Sequence, residues 1–145
     1  MTARTLLILR HASAANEPGT IDADRPLTPV GRTEAAQVGQ EIAALRPEHV
    51  VCSPALRTRQ TWQQVSAGLM VQPKIDFAAG MYLASADTLR EIVWQTPDDV
   101  STLLLIGHNP AVHELAWTLL GDQAPQYFPP ASLAVVAFTG AWTSL

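Results

Sequence analysis

The stretch Thr102-Leu103-Leu104-Leu105-Ile106-Gly107-His108-Asn109-Pro110 sets an unbroken aliphatic run directly against a glycine and a polar turn ending in proline. A short continuous apolar run reads as a strand buried on both faces, as in a parallel sheet covered by crossover helices. Gly107 ends the run. Asn109-Pro110 then offers a capping residue followed by proline at a first helical position, so a helix is expected from Pro110 to Leu120, stopped by Gly121. Strand, tight turn and helix in succession form the repeating unit of an α/β fold.

The same unit recurs on both sides of this stretch. Upstream, Thr5 to Leu9 is a second buried-strand run, ending at Arg10-His11. After a polar segment from Ser13 to Pro26, Thr28-Pro29 predicts the start of a helix that runs to about Leu45. His49 to Cys52 reads as a strand, and Ser53-Pro54 repeats the cap-and-proline signal before a helix over Ala55 to Leu69. A weaker strand is expected at Lys74 to Phe77, and a helix at Asp87 to Gln95 with Leu89, Ile92 and Val93 at helical spacing. Downstream, a loop through Pro129-Pro130 leads to a last strand at Leu133 to Phe138. The alternation predicts one α/β domain over residues 1–145, with a mainly parallel sheet covered by helices on both faces.

Composition narrows the function classes. A chain of 145 residues that is 48% hydrophobic and 15% charged can bury a core of its own. A formal charge of −4 argues against nucleic acid as a partner, since such binding needs a basic surface. The apolar run near the N-terminus is too short for a signal peptide or a membrane span, so no membrane association is expected. The lone Cys52 has no disulfide partner and lies in a strand; it reads as a core residue of a protein in a reducing, cytoplasmic compartment. Trp62, Trp94, Trp117 and Trp142 read as packing residues.

Ligands of open α/β sheets bind beyond the carboxyl ends of the strands. There the chain places Arg10-His11 after one strand, Arg57 in the first helical turn after another, and His108 after a third. Arginine forks and helix N-termini suit phosphate oxygens. A neutral imidazole can attack phosphorus, and a second, protonated imidazole could offset charge on the transferring oxygens. This scheme calls for no metal and no cofactor. Singly, each residue also fits a bland role: a turn former at His108, a solvated helix face at Arg57, a capping or surface residue at His11.

Leu9-Arg10-His11-Ala12 resembles the Arg-His-Gly signature of the histidine phosphatase superfamily, with alanine in place of glycine. Three further segments follow in the same order: Arg25-Pro26-Leu27-Thr28-Pro29-Val30-Gly31, Cys52-Ser53-Pro54-Ala55-Leu56-Arg57-Thr58-Arg59-Gln60-Thr61 and Ile106-Gly107-His108-Asn109-Pro110. With Pro130-Ala131-Ser132-Leu133, they look like the small SixA-type phosphohistidine phosphatases. The resemblance implies a phosphoglycerate mutase-like three-layer α/β/α sandwich. It also implies His11 as nucleophile, Arg10 and Arg57 as phosphate-binding residues, and His108 completing the pocket. A covalent phosphohistidine intermediate, hydrolysed without metal or organic cofactor, goes with that picture.

The general acid has no clear place. Ser13 stands where many larger members carry an acidic residue, which leaves Asp22, Asp24 and Glu17 in the polar segment as candidates, each also readable as a solvated loop carboxylate. Ser13, Asn16 and Ser132 could each add a hydrogen bond to phosphate or satisfy nearby backbone. The partner is expected to be a phosphorylated protein, such as a phosphotransfer domain in signalling. The alternatives are a small phosphorylated metabolite, whose alkoxide leaving group calls for a proton donor, and a non-catalytic phosphate-binding module.

Overall fold

Leu6 to Leu9 and Leu103 to Ile106 are fully buried, as strands with a helix layer on either side must be. The computed structural model describes residues 2–145. Its strands are β1 (Ala3–Arg10), β2 (His49–Cys52), β3 (Lys74–Phe77), β4 (Thr102–Gly107) and β5 (Leu133–Thr139). Its helices are α1 (Pro29–Leu45), α2 (Leu56–Ser66), α3 (Ala86–Trp94) and α4 (Ala111–Leu120). The sheet order is β3-β2-β4-β1-β5, with β5 antiparallel to β1 and the other pairings parallel.

Strand side chains alternate between faces, and the core divides accordingly. Leu6, Ile8, Leu103 and Leu105 pack with Leu89 and Val93 of α3 and Val112 and Leu115 of α4. Leu7, Leu9, Leu104 and Ile106 pack with Val38 and Ile42 of α1 and Trp62 and Val65 of α2. Each such aliphatic side chain contributes about 1.5–3 kcal/mol by leaving water, so the two clusters, more than helix propensity, hold the layers together. The result is the expected three-layer α/β/α sandwich.

Helix α1 begins as the sequence predicts. Thr28 accepts a hydrogen bond from Gly31 N (3.0 Å), with Pro29 at the first helical position. Gly31 is required by packing, because a Cβ there would sit 2.1 Å from the Ser13 carbonyl oxygen. The close approach brings the segment after β1 down onto the start of α1.

Two other helix starts differ from expectation. Helix α2 begins at Leu56 with Ala55 as its uncapped boundary residue, and it gives way to turns at Ala67 instead of reaching Leu69. Helix α4 begins at Ala111, with Pro110 preceding it after a cis bond from Asn109. At both places the polar side chain before the proline has another partner: Ser53 meets His108, and Asn109 donates to the Phe128 carbonyl. Ser53 Oγ still receives Ala55 N (3.4 Å), just before the helix proper, whereas the Asn109 oxygen caps nothing among the described residues because the amide is turned so that its NH2 reaches Phe128. Among the described residues, no helix is long and apolar enough to cross a membrane.

Candidate active site

The parallel strands β1, β2 and β4 end on one edge, and backbone hydrogen bonds continue past their last residues. His11 N donates to Gly107 O (3.0 Å), Ser53 N to Ile106 O (3.0 Å), and Ala131 N to His11 O (3.0 Å). These bonds extend the sheet into the turns that carry His11, Ser53 and His108, so the side chains stand on a fixed floor. The His11 and His108 rings lie 5.4 Å apart, centroid to centroid.

His11 is 7% exposed, and its Nδ1 lies 2.7 Å from the Ala12 carbonyl oxygen. A carbonyl only accepts, so Nδ1 carries the proton and Nε2 keeps its lone pair. Burial lowers the His11 pKa from 6.5 to about 4; the Ala12 carbonyl opposes the shift, and the charges of Arg57, Arg10 and Arg25 reinforce it. His108 is driven further, to about 3, by burial first and then by Arg57 and His11. Both imidazoles are therefore neutral near pH 7. The expected protonated second histidine is replaced, in the protein alone, by a neutral one.

Arg57 is buried in the first turn of α2, and both its terminal nitrogens engage Asp22: Nη1 the backbone carbonyl (2.8 Å) and Nη2 the carboxylate (3.0 Å). Arg10 donates from Nη1 to Phe128 O (3.1 Å). Its own pKa is lowered by burial and by the neighbouring Arg57 charge. Arg10 Nε, Arg57 Nε and His108 Nδ1 are buried and have no hydrogen-bond partner among the described residues. A buried donor without a partner is costly, and the Nε–H groups of Arg10 and Arg57 are two such donors at one strand edge.

Asp22 lies in a short 3-10 turn, Asp22–Asp24. Its carboxylate also meets Arg25 Nη1 (3.2 Å) and the Tyr82 hydroxyl. The Tyr82 hydrogen bond, ahead of the two arginines, holds this carboxyl well below the usual range. An ionised carboxylate so placed has the chemistry of an anchor for Arg57. Asp24 and Glu17 are exposed, and neither side chain makes a hydrogen bond among the described residues. Asn16 is exposed as well. Ser13 and Ser132 are half-buried and serve through their backbone: Ser13 N donates to Glu34 Oε1 (2.8 Å), and Ser132 O accepts from Arg10 N (3.0 Å).

Sequence reasoning missed Ser53 and Tyr82. Ser53 is fully buried with its Oγ 2.8 Å from His108 Nε2, and the Tyr82 ring meets His108 edge-on at 5.7 Å. Ser53 lies 55 residues from His108, and Tyr82 lies 60 from Asp22, which its hydroxyl meets; no local pattern signals contacts at that range. An open groove of about 220 Å³ beside His108 is walled by Tyr82, Leu83 and Pro110. Cys52 is buried, and burial pushes its thiol up to about 12, which makes it inert as a nucleophile. No group of three His, Cys, Asp or Glu side chains is placed to hold a metal ion among the described residues.

An α/β sheet whose carboxyl edge gathers two neutral imidazoles and two arginines is equipped to bind a tetrahedral oxyanion and to attack it. The family model of the histidine phosphatase superfamily (branch 1) matches residues 6–78. The chain is 32% identical to the uncharacterized protein Rv1276c of Mycobacterium tuberculosis over 94% of its own length and 91% of that protein. A structure from Nakamurella multipartitia, assigned provisionally as the phosphohistidine phosphatase SixA, superposes with a TM-score of 0.85 at 32% identity, covering 99% of this chain and 90% of that one. The protein histidine phosphatase SixA in complex with tungstate superposes with a TM-score of 0.78 at 26% identity, covering 90% and 86%. The chain belongs to the histidine phosphatase superfamily.

Proposed function

We propose that this protein is a cytoplasmic, metal-independent phosphohistidine phosphatase that acts on a phosphorylated protein and carries the phosphoryl group on His11. The reading rests on one observation. Beside the free Nε2 of His11, the Nε atoms of Arg10 and Arg57 and the Nδ1 of His108 are buried without partners among the described residues. A phosphoryl group offers three acceptor oxygens to such donors. Tungstate, bound by the similar SixA structure, has the same tetrahedral oxyanion shape.

In the first step His11 Nε2 forms a bond to phosphorus while the bond from phosphorus to the substrate imidazole breaks. The departing ring takes the bonding electron pair. If its other nitrogen already carries a proton, it leaves as neutral imidazole and needs no general acid. Water then attacks phosphorus, and the Nε2–P bond breaks. His11 recovers its lone pair, while the hydroxyl and the remaining proton of the water leave with inorganic phosphate. The Ala12 carbonyl holds His11 in the required tautomer throughout, and the arginines offset the charge of the phosphoryl group. The groove beside His108 is open, and Leu83 on its wall is 88% exposed, which leaves room for a substrate borne on a protein surface.

The test is phosphate release from a phosphohistidine protein and from a panel of small phosphomonoesters, with a metal chelator present, for the wild type and His11→Ala. Hydrolysis of the phosphohistidine protein that survives the chelator and disappears in His11→Ala is expected, together with acid-labile phosphate trapped on the wild-type chain. Faster turnover of a small phosphomonoester would overturn the substrate assignment, and phosphate binding without turnover would leave only a binding module.

A further inference from the structure

Ser53 has no place in the chemistry described so far, yet it is fully buried beside His108 at the end of β2. Its hydroxyl is a donor and an acceptor, and the chain supplies one candidate for each role. Ala55 N points at Oγ (3.4 Å) and can only donate. His108 Nε2, 2.8 Å away, can accept or donate according to its tautomer.

Hydrogen-bond accounting separates the two cases. If Nε2 carried the proton, Ser53 would accept from both Ala55 and His108, and its own hydroxyl proton would be buried with no other acceptor among the described residues. His108 Nδ1 would then be a bare lone pair, buried and without a donor. If Ser53 donates to Nε2, its hydroxyl is satisfied on both sides and the ring proton sits on Nδ1. That assignment also converts Nδ1 into a donor, the polarity a phosphoryl oxygen requires.

We propose that Ser53 is a positioning residue that fixes His108 as the Nδ1–H tautomer, making it a neutral hydrogen-bond donor to the phosphoryl group. This rests on the phosphatase reading above for its consequence, but the tautomer itself is a property of the protein without substrate. The two histidines then form a complementary pair. The Ala12 carbonyl makes His11 a lone pair at Nε2, and the Ser53 hydroxyl makes His108 a proton at Nδ1. One ring can only attack and the other can only donate, although both are neutral. A donor that is not an imidazolium does not have to gain a proton beside Arg57 before substrate binds.

The experiment is nitrogen NMR of the histidine rings at pH 7.5 in the protein without phosphate, followed by steady-state kinetics of Ser53→Ala and Ser53→Thr. Ring nitrogen shifts distinguish Nδ1–H, Nε2–H and the doubly protonated ring. Wild type is expected to show His108 as Nδ1–H. Ser53→Ala is expected to move it toward Nε2–H, with kcat lowered about ten- to a hundredfold, as for other residues that orient a site group through a hydrogen bond. Ser53→Thr, which keeps the hydroxyl, is expected to restore the wild-type tautomer and most of kcat. An Nε2–H or imidazolium His108 in the wild type overturns the proposal without any variant having to fold. So does an unchanged tautomer in Ser53→Ala. An inactive wild type that still shows Nδ1–H would sink the phosphatase reading and leave the tautomer assignment standing.

Discussion

Arg57 commits both terminal nitrogens to Asp22 and keeps Nε free, so its guanidinium plane is set before any ligand arrives. Preorganisation of this kind lowers the entropy lost on binding, and it depends on the planar fork, which lysine lacks. Arg57→Lys is therefore expected to lower kcat/KM for the phosphorylated substrate about a hundredfold, although the charge is kept. Parallel measurement of fold stability separates this from damage to α2, and a kcat/KM within a few-fold of wild type would refute it. Ala12 occupies the position where the family signature has glycine. It is fully buried, donates from its backbone to Thr61 Oγ1 (3.0 Å), and leaves the carbonyl that orients His11 in place. The methyl group is accommodated at no visible expense to the site.

At the scale of the elements, the segment between β1 and α1 is fastened by side chains of the helices beneath it. Glu34 receives Ser13 N, Gln60 receives Leu27 N (2.8 Å), and Thr28 caps the start of α1. Thr28→Ala removes one satisfied helix donor and is expected to cost about 1 kcal/mol, read as a lowered urea midpoint with unchanged slope. Thr28→Ser, which keeps the hydroxyl, is expected to recover most of it. All five strands and α1 were legible in the sequence because their signals are local: aliphatic runs for β1 and β4, and a threonine-proline cap for α1. The starts of α2 and α4 were less legible for the opposite reason. Ser53 and Asn109 display the local signature of a cap, but Ser53 Oγ is shared with His108, 55 residues on, and the Asn109 amide is oriented by its bond to the Phe128 carbonyl. The arginine and histidine positions could be read from strand ends, whereas Tyr82 depends on a loop contact with Asp22 that no spacing encodes.

Taken as a whole, the fold holds His11 and His108 as neutral imidazoles, which ties stability to pH. His11 has a pKa of about 4 when folded, against 6.5 for the ordinary group. Between those values the unfolded chain binds more protons, so stability rises with pH through this window and is lost as pH falls from 6.5 to 4. The His11 contribution is on the order of 3 kcal/mol. His108 acts in the same direction, down to about 3. Asp22, whose carboxyl is held low by Tyr82 and the arginines, adds loss of the same sign at still lower pH. Denaturant midpoints measured from pH 7 to pH 4 are expected to fall more steeply for the wild type than for His11→Gln. Equal slopes would show that His11 is not held neutral by the fold. The same sheet that imposes this cost also sets a division of labour for change over time. His11 and Ser53 are stitched to neighbouring strands by backbone hydrogen bonds and His108 follows directly on β4, while Asp22 and Tyr82 reach the site from two surface loops. Those loops can be lengthened, shortened or exchanged between relatives like interchangeable jaws on one vice, altering what the protein grips while the two imidazoles stay where the sheet holds them.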